Sequence, residues 1–342
     1  MAHVFVGMSG GVDSSLTAAL LVEAGHEVTG VYMKNWTQDM PGMRCPWADD
    51  LADAKRVAVH LDIDFKVFDF EQEYRHKVVD YMIAEYEAGR TPNPDIMCNQ
   101  EVKFKLFVDA ALEQGADFVA TGHYARTEGG RLLMAEDSNK DQTYFLYRVS
   151  QQALERTLFP LGDFTKPEVR KMAEQRGLST AAKKDSVGIC FVGQVGMREF
   201  LSQYVTTEPG DIIDRTDGRV IGRHDGAIFY TLGQRHGLDL GGGLPYYVVG
   251  KDMAKNQVFV SRDLNDEALW QKQVRIIHEH GINGPLNDGT YRARVRHRAP
   301  LTLCRLEGDT LIFDHPERAA APGQSVVLYD GDVCVGGGII SA

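Results

Sequence analysis

Hydrophobic and polar positions along the first 195 residues follow two alternating periods, which predicts strands separated by helices. Short apolar runs indicate buried strands at residues 3–8, 28–33, 65–70 and 117–121. Apolar side chains recur at helical spacing between those runs, over residues 13–24, 51–61, 71–88 and 102–114. Strands that alternate with helices in this way predict an α/β fold with a parallel, doubly wound sheet.

One further helix start is recognisable near the end of this region. Thr165 and Glu168 have the spacing of a capping box, and Pro167 lies between them in the first turn. Gly177 is suited to end the helix, because glycine adopts the left-handed conformation that follows many helices. We therefore predict a helix between Thr165 and Gly177.

The pattern changes after Pro209 and Gly210. Helical spacing nearly vanishes, and short alternating runs are separated by Asp-Gly pairs at residues 217–218, 225–226 and 330–331. Such punctuation is typical of β-rich domains. We expect three domains, namely an α/β domain (1–200), a small β-rich central domain (201–268) and a C-terminal β-barrel (269–342).

The composition excludes several classes of protein. Of the 342 residues, 43% are hydrophobic and 25% are charged, unlike a disordered chain, a collagen or a coiled coil. The five cysteines include no Cys-x-x-Cys pair, which argues against a disulfide framework and a zinc site. No run of about 18 apolar residues predicts a membrane span, and no leader peptide is recognisable. We expect a cytoplasmic protein without a membrane partner.

Residues 9–15, Ser-Gly-Gly-Val-Asp-Ser-Ser, lie between the first predicted strand and the first predicted helix. Two glycines let the backbone approach an anion, and the helix N-terminus supplies unpaired N–H groups and a positive dipole end. The Gly-Lys-Ser/Thr of a Walker A motif is missing. The segment predicts a phosphate-binding loop, and the alternative is an ordinary strand-to-helix turn.

Two segments present a thiol among polar residues. In Thr-Pro-Asn-Pro-Asp-Ile-Met-Cys-Asn (91–99), two prolines in three positions favour a stiff, non-helical loop, so we expect Cys98 on a surface connection. Asp95 would raise the pKa of a neighbouring thiol, which favours an acid/base or base-binding role for this carboxylate. In Lys-Lys-Asp-Ser-Val-Gly-Ile-Cys-Phe (183–191), two lysines precede Cys190. The alternative in both segments is a small buried cysteine.

A net charge of −11 argues mildly against a phosphate-binding surface, so a local patch is needed to bind nucleic acid. Residues 291–298, Tyr-Arg-Ala-Arg-Val-Arg-His-Arg, alternate strictly. As a strand they would present four arginines on one face, which favours contact with phosphate. The alternative is a solvated face of the barrel.

The loop at residues 9–15 resembles the pyrophosphate-binding loop of the PP-loop ATPases, which adenylate a carbonyl oxygen. This resemblance implies a Rossmann-like domain that binds ATP at the carboxyl ends of its strands. It also implies that Asp13 helps to hold Mg²⁺ on the leaving pyrophosphate.

Together with that loop, the two cysteine segments closely resemble the bacterial tRNA-specific 2-thiouridylases, over nearly the whole chain. Further matching motifs are Met33-Lys34-Asn35-Trp36, Ala120-Thr121-Gly122-His123-Tyr124-Ala125, Lys140-Asp141-Gln142-Thr143-Tyr144-Phe145-Leu146, Leu232-Gly233-Gln234-Arg235 and Pro322-Gly323-Gln324. The resemblance implies that ATP adenylates O2 of the wobble uridine in tRNAs for Lys, Glu and Gln. A persulfide on Cys190 then delivers sulfur, supplied by a carrier protein downstream of a cysteine desulfurase.

The family's site residues carry over to matching positions. Cys98 becomes the nucleophile that resolves the persulfide, through a transient Cys98–Cys190 disulfide or by release of sulfide, and Asp95 the acid/base. ATP-binding positions are Gly7, Met8, Ser9, Gly10, Gly11, Val12, Asp13, Ser14, Met33 and Gly122. The target base is expected at Asn93, Pro94 and Asp95. Contacts with tRNA are expected from His123, Lys140, Asp141, Gln142, Arg296, His297 and Gln324.

Three other functions compete with this hypothesis. A PP-loop ligase that adenylates a small carboxylate or amide would share residues 7–15, but it would need neither Cys98 nor Cys190. A tRNA-binding protein with a vestigial nucleotide site would not need an intact Asp13. A thiolase that uses an iron–sulfur cluster would need three clustered cysteines, which the sequence does not show.

Overall fold

The computed structural model describes residues 1–39, 45–185, 196–241 and 243–341, so Cys190 lies outside the described residues. The first part of the chain forms a five-stranded parallel sheet of order β3-β2-β1-β4-β7. The strands up to residue 158 are β1 (His3–Gly7), β2 (Glu27–Lys34), β3 (Asp64–Asp69), β4 (Phe118–Thr121), β5 (Arg126–Glu128), β6 (Arg131–Leu133) and β7 (Thr157–Leu158). The predicted α/β class and parallel sheet are confirmed.

The central strand explains why the apolar runs predicted strands. Val4, Phe5 and Val6 of β1 are all buried, because helices cover both faces of the sheet. Val4 and Val6 belong to the hydrophobic cluster on one face, and Phe5 belongs to the cluster on the other. Successive side chains of a strand point to opposite faces of the sheet. When both faces are covered, every position is buried, so apolar and polar residues do not alternate.

The helices of the parallel-sheet domain follow the predicted order. The α-helices in the described residues are α1 (Val12–Glu23), α2 (Trp47–His60), α3 (Glu71–Tyr74), α4 (Asp80–Glu87), α5 (Pro94–Cys98), α6 (Phe107–Glu113), α7 (Thr143–Leu146), α8 (Gln151–Glu155), α9 (Lys166–Gln175) and α10 (Met197–Leu201). Two π-helical segments, Arg75–Val79 and Asn99–Leu106, join α3 to α4 and α5 to α6. The predicted capping box is confirmed, because Thr165 N donates to Glu168 Oε2 at 2.7 Å.

The segment around Cys98 differs from the prediction of a proline-stiffened surface loop. A helix begins at Pro94, and the Asn93 side chain caps it by accepting from Ile96 N at 3.4 Å. Proline costs no hydrogen bond at the first helical position, where its missing N–H has no intrahelical partner. Cys98 ends this first helical segment and is only 4% exposed, so its expected surface position was wrong.

A four-stranded sheet of order β10-β11-β8-β9 follows. Its strands are β8 (Gly210–Asp214), β9 (Val220–His224), β10 (Tyr247–Asp252) and β11 (Gln257–Ser261). Ile212, Val248 and Val258 contribute to a hydrophobic cluster of its own. Two 3₁₀ turns, Ala227–Phe229 and Glu267–Leu269, lie within and after this sheet.

The last part of the chain is a closed, antiparallel, six-stranded sheet, which confirms the predicted C-terminal β-barrel. Its strands are β12 (Trp270–Gly281), β13 (Gly289–Arg294), β14 (Thr302–Glu307), β15 (Thr310–Arg318), β16 (Ser325–Asp330) and β17 (Val333–Ile340). Pairing of β12 with β17 closes the barrel. Strand β17 also pairs with β6, so the hairpin of β5 and β6 joins the α/β domain to the barrel. Of the described helices, none is long and apolar enough to cross a membrane.

Candidate active site

The predicted phosphate loop connects β1 to α1 at the carboxyl edge of the parallel sheet. The chain crosses from β1 to β2 on one side, while β4 pairs with β1 on the other. This is the switch point at which doubly wound sheets bind their ligands. Ser9 N donates to Ser14 Oγ at 3.1 Å, and Ser14 Oγ donates to Gly11 O at 3.1 Å. These bonds close the loop around the start of α1.

The other predicted nucleotide positions converge on this loop. Gly122 follows β4 directly, and a Cβ there would lie 2.7 Å from Ser14 N and 2.8 Å from the carbonyl carbon of Asp13. Glycine is therefore required for β4 to approach the start of α1. Met33 lies near the end of β2, two residues beyond the Val31 that pairs with Gly7. The tertiary structure thus brings together three segments that are far apart in the sequence.

Two side chains that the sequence analysis did not assign to the site form polar contacts with Asp13. Lys166, the first residue of α9, places its Nζ 2.7 Å from Asp13 Oδ1 and 2.8 Å from Oδ2. Tyr124 donates its hydroxyl to the same Oδ1 at 2.8 Å. In the described part of the chain, no group of three or more His, Cys, Asp or Glu side chains could hold a metal ion. A lone carboxylate suits Mg²⁺ only together with phosphate oxygens, so the Mg²⁺ assignment stays a prediction.

Lys166 also contacts Asp185, at the end of the described Lys-Lys-Asp segment. Asp185 accepts from Lys140 Nζ at 2.7 Å and from Arg170 Nη2 at 2.6 Å, and Lys166 Nζ lies 2.9 Å from it. Burial acts to raise the pKa of Asp185, but the ammonium groups of Lys140 and Lys166 lower it to about 2. Three cations and two carboxylates thus form one ion-pair cluster beside the phosphate loop. The only sequence signal for Lys166 was its place in the capping box.

Asp95 lies in the first turn of α5, one helical turn before Cys98. Burial raises the pKa of the Asp95 carboxyl, against an opposing effect of the positive charge of Lys103. The α5 segment continues through the π-helical segment and α6 towards β4, so this helical run is antiparallel to the strands. Its N-terminal end therefore lies at the carboxyl edge of the sheet, the same edge as the phosphate loop.

His123 lies directly after Gly122, packed between two aromatic rings. Its Nδ1 lies 2.8 Å from Thr121 Oγ1, and its ring centroid is 5.5 Å from that of Phe104 and 6.2 Å from that of Phe159. Burial, assisted by the positive charge of Lys103, lowers the pKa of His123 well below its usual value. This imidazole is therefore neutral near pH 7 and suited to hydrogen bonding rather than to charge pairing.

Comparison with known proteins gives consistent matches over nearly the whole chain. Three family models match, described as tRNA methyl transferase HUP domain (2–194), tRNA methyl transferase PRC-barrel domain (198–262) and Aminomethyltransferase beta-barrel domain (271–340). A tRNA-specific 2-thiouridylase from Pseudomonas aeruginosa is 48% identical, with 99% of this chain and 94% of that protein covered. The chain belongs to the tRNA-specific 2-thiouridylase family.

A second family member gives the same result. The tRNA-specific 2-thiouridylase of Neisseria gonorrhoeae is 48% identical, with 99% of this chain and 95% of that protein covered. Among solved structures, a 4-thiouridine synthetase–RNA complex with bound ATP has 16% identity and a TM-score of 0.40, with 59% of this chain and 50% of that chain covered. The assignment of this chain to the family rests on the full-length relatives and not on the structural likeness.

In this member of the family, the Lys-Asp-Gln segment expected to contact tRNA makes internal contacts. Asp141 is buried, and its Oδ2 lies 3.0 Å from Arg294 Nη1. Gln142 Oε1 accepts from Tyr124 N at 2.9 Å, and Lys140 holds Asp185 as described above. The segment therefore joins the barrel to the nucleotide site, and its contact with tRNA stays a prediction.

The prediction of a strand with four arginines on one face was wrong. Strand β13 ends at Arg294, whose side chain is only 7% exposed. Ala293 and Val295 are buried in the interior cluster of the barrel, whereas Arg294 points to the opposite face, where Asp141 covers it. Arg298 has a positive φ of 63° and donates its Nε to Asn139 O at 3.0 Å. Arg296 and Arg298 are both exposed, in contrast to the buried Arg294.

His297 and Gln324, both expected to contact tRNA, also lie against other parts of the protein. The His297 ring centroid is 4.6 Å from that of Phe145, and burial with the nearby Arg298 charge lowers its pKa to about 4. Gln324 Nε2 donates to Thr91 O at 2.6 Å. Cys304 and Cys334 are buried in the barrel region.

Proposed function

We propose that this chain catalyses the ATP-dependent replacement of O2 by sulfur in the wobble uridine of tRNA. The observation that carries this proposal is the shared edge of the sheet. The phosphate loop, His123 and the start of the Asp95–Cys98 helix all lie at the carboxyl ends of the strands. The residues expected to bind the nucleotide, the tRNA and the target base thus share one edge of the sheet.

The first step is adenylation of uracil O2, for which ATP supplies the adenylyl group and leaves pyrophosphate. The loop N–H groups at the start of α1 bind phosphate oxygens, and Lys166 neutralises the charge that develops on the leaving group. Asp95 accepts the proton from uracil N3 as O2 bonds to the α-phosphorus. The raised pKa of Asp95 makes the carboxylate a stronger base than an exposed aspartate.

The second step moves sulfur onto C2. A persulfide on Cys190 attacks C2 through its terminal sulfur, and the former O2 leaves as an oxygen of AMP. Cys98 thiolate then attacks Sγ of Cys190, which breaks the persulfide bond and leaves 2-thiouridine with a Cys98–Cys190 disulfide. A dithiol reductant returns the two cysteines to thiols. A thiolate is the competent nucleophile in both attacks.

The proposal also includes the tRNA species, the sulfur donor and the metal ion. The substrates are the tRNAs for Lys, Glu and Gln, and a sulfur-carrier protein supplies the persulfide. Mg²⁺ on Asp13 and the pyrophosphate oxygens would neutralise the leaving group further. The support for tRNA as substrate is the family of full-length relatives, whose name specifies tRNA.

The test is nucleoside mass analysis of a transcript with uridine at the wobble position, after incubation with ATP and enzyme that a cysteine desulfurase and cysteine have loaded with persulfide sulfur. We expect one uridine to gain the mass difference between sulfur and oxygen, only when ATP is present. A transcript with cytidine at that position is the matched control and should stay unchanged. A gain of a methyl group would instead favour the activity in the family models' description. Adenylation of a small carboxylate without tRNA would favour the ligase alternative.

A further inference from the structure

The segment before the Asp95–Cys98 helix is held by the C-terminal barrel. Residues 88–93 connect α4 to α5, and Pro92 in this connection and Pro94 at the start of α5 both lack a backbone N–H donor. Thr91 N donates to Pro322 O at 2.9 Å, across more than two hundred positions of sequence. In return, Gln324 Nε2 donates to Thr91 O at 2.6 Å and lies 3.5 Å from Pro92 O.

The barrel turn that makes these contacts is shaped for a close approach. Gly323 has a positive φ of 89°, and a Cβ there would lie 2.8 Å from Thr91 N. The turn is itself fixed to the last strand, because Gly323 N donates to Ile340 O at 2.9 Å and Ile340 N donates to Gln324 O at 2.8 Å. The barrel therefore presents the Gln324 amide from a rigid base.

The connecting segment is also held from its other sides. Arg90 donates Nε to Glu85 Oε2 at 2.7 Å, which ties it to α4. The Thr91 hydroxyl lies 3.0 Å from that of Thr231, in the central domain. All three parts of the chain thus meet two residues before Asn93, the residue that caps α5.

From these contacts we infer that Gln324 is a positioning residue for the Asp95–Cys98 helix. Its amide fixes the carbonyls of Thr91 and Pro92, which sets where α5 begins and hence where the Asp95 carboxyl points. The inference rests on the proposed function, since it assigns Gln324 to the catalytic step rather than to tRNA binding alone. A shift of about 1 Å in a catalytic group lowers rates by up to about 100-fold, so the loss of this contact is measurable.

The experiment compares Gln324→Ala, Gln324→Glu and Gln324→Lys with Gln273→Ala, an exposed glutamine of the same barrel. Alanine removes the donor, glutamate places a charge against two carbonyl oxygens, and lysine restores a donor at similar reach. Measurements are kcat for 2-thiouridine formation at saturating tRNA, the Kd for tRNA by filter binding, and active-site concentration from ATP binding. Absence of thiolation in the wild-type protein would count against the proposed function, before any variant is compared.

We expect Gln324→Ala and Gln324→Glu to lower kcat by about 10-fold or more with a Kd for tRNA unchanged within about twofold. Gln324→Lys should recover most of the lost kcat, and Gln273→Ala should match the wild type. A raised Kd with unchanged kcat would make Gln324 a tRNA contact and overturn the inference. Unchanged kcat in Gln324→Ala, or a loss that lysine does not recover, would overturn it as well.

Discussion

Lys166 and Asp13, 153 positions apart in the sequence, form an ion pair at the phosphate loop with 2.7 Å between Nζ and Oδ1. The Lys166 ammonium balances the negative charge of the Asp13 carboxylate, which lies in the first turn of α1. The same ammonium contacts Asp185, next to the segment that carries Cys190. The phosphate loop and the end of the described segment at Asp185 are therefore connected through one side chain.

Replacement of Asp13 tests the nucleotide loop. We expect Asp13→Asn to slow tRNA-dependent release of pyrophosphate by about 100-fold, because the amide keeps the shape but not the charge that holds Lys166. Pyrophosphate release is measured with tRNA and ATP present. Asp314→Asn, which changes an exposed carboxylate of the barrel, is the control. Wild-type release from Asp13→Asn would remove the assigned role of this loop.

The two arginines of residues 294 and 296 should behave differently. Arg294→Met should lower the free energy of unfolding by about 3 kcal/mol, because it leaves the buried Asp141 carboxylate without its partner. It should leave the salt dependence of tRNA binding unchanged. Replacement of the exposed Arg296 by methionine should flatten the slope of the logarithm of the tRNA binding constant against the logarithm of the salt concentration by about 0.7–0.9. It should have little effect on the free energy of unfolding. Urea titration and binding at several salt concentrations measure both, and the reverse pattern would contradict this assignment.

The two thiols should fail at different steps. Cys190→Ser should lose persulfide loading yet still release pyrophosphate with tRNA, because adenylation does not use the carried sulfur. Cys98→Ser should accept a persulfide on Cys190 and stop there, since a hydroxyl is a much poorer nucleophile near neutral pH. Peptide mass mapping locates the persulfide, and Cys304→Ala, a buried thiol of the barrel, is the control. A persulfide found on Cys98 would exchange the two roles.

The acid/base role of Asp95 predicts a pH dependence. Because burial raises the pKa of Asp95, kcat for adenylation should rise with pH through a value above that of an ordinary aspartate. Asp95→Asn should remove this step in the profile and lower kcat, with tRNA affinity retained. Asp109→Asn, an exposed carboxylate farther along the same helical run, should keep the wild-type profile. A pH step that survives in Asp95→Asn would assign it to another group.

His297 should make the protein less stable in mild acid. Its pKa is about 4 in the folded protein and about 6.5 in an unfolded chain. The unfolded state therefore binds the proton first, so this contribution to stability is complete above about pH 6.5 and lost as pH falls towards about 4. His297→Gln should reduce the loss of unfolding free energy across that range. The exposed His315, replaced by glutamine, should leave the slope unchanged.

Elements whose signal is local could be predicted from the sequence. The continuous apolar run of β1 is a strand because both faces of the sheet are covered, and residues 9–15 form the short loop after β1 and the first turn of α1. The capping box of α9 formed at the predicted positions, since its partners are three residues apart. The Asp-Gly turns and alternating runs of the last 130 residues were sufficient for the β-barrel. In each case the residues that decide the structure are close neighbours in the chain.

The tertiary structure decided which faces and side chains are covered. Alternation over 291–298 could not reveal that Asp141 packs against Arg294, 153 positions away, so the buried arginine was missed. The burial of Cys98 and the hydrogen bond from Gln324 to the carbonyl of residue 91 likewise depend on packing between distant segments. A long-range contact leaves no periodicity in the local sequence, because each partner obeys only the pattern of its own strand or helix. For the same reason, the pairing of Lys166 with Asp13 is visible only in the folded chain.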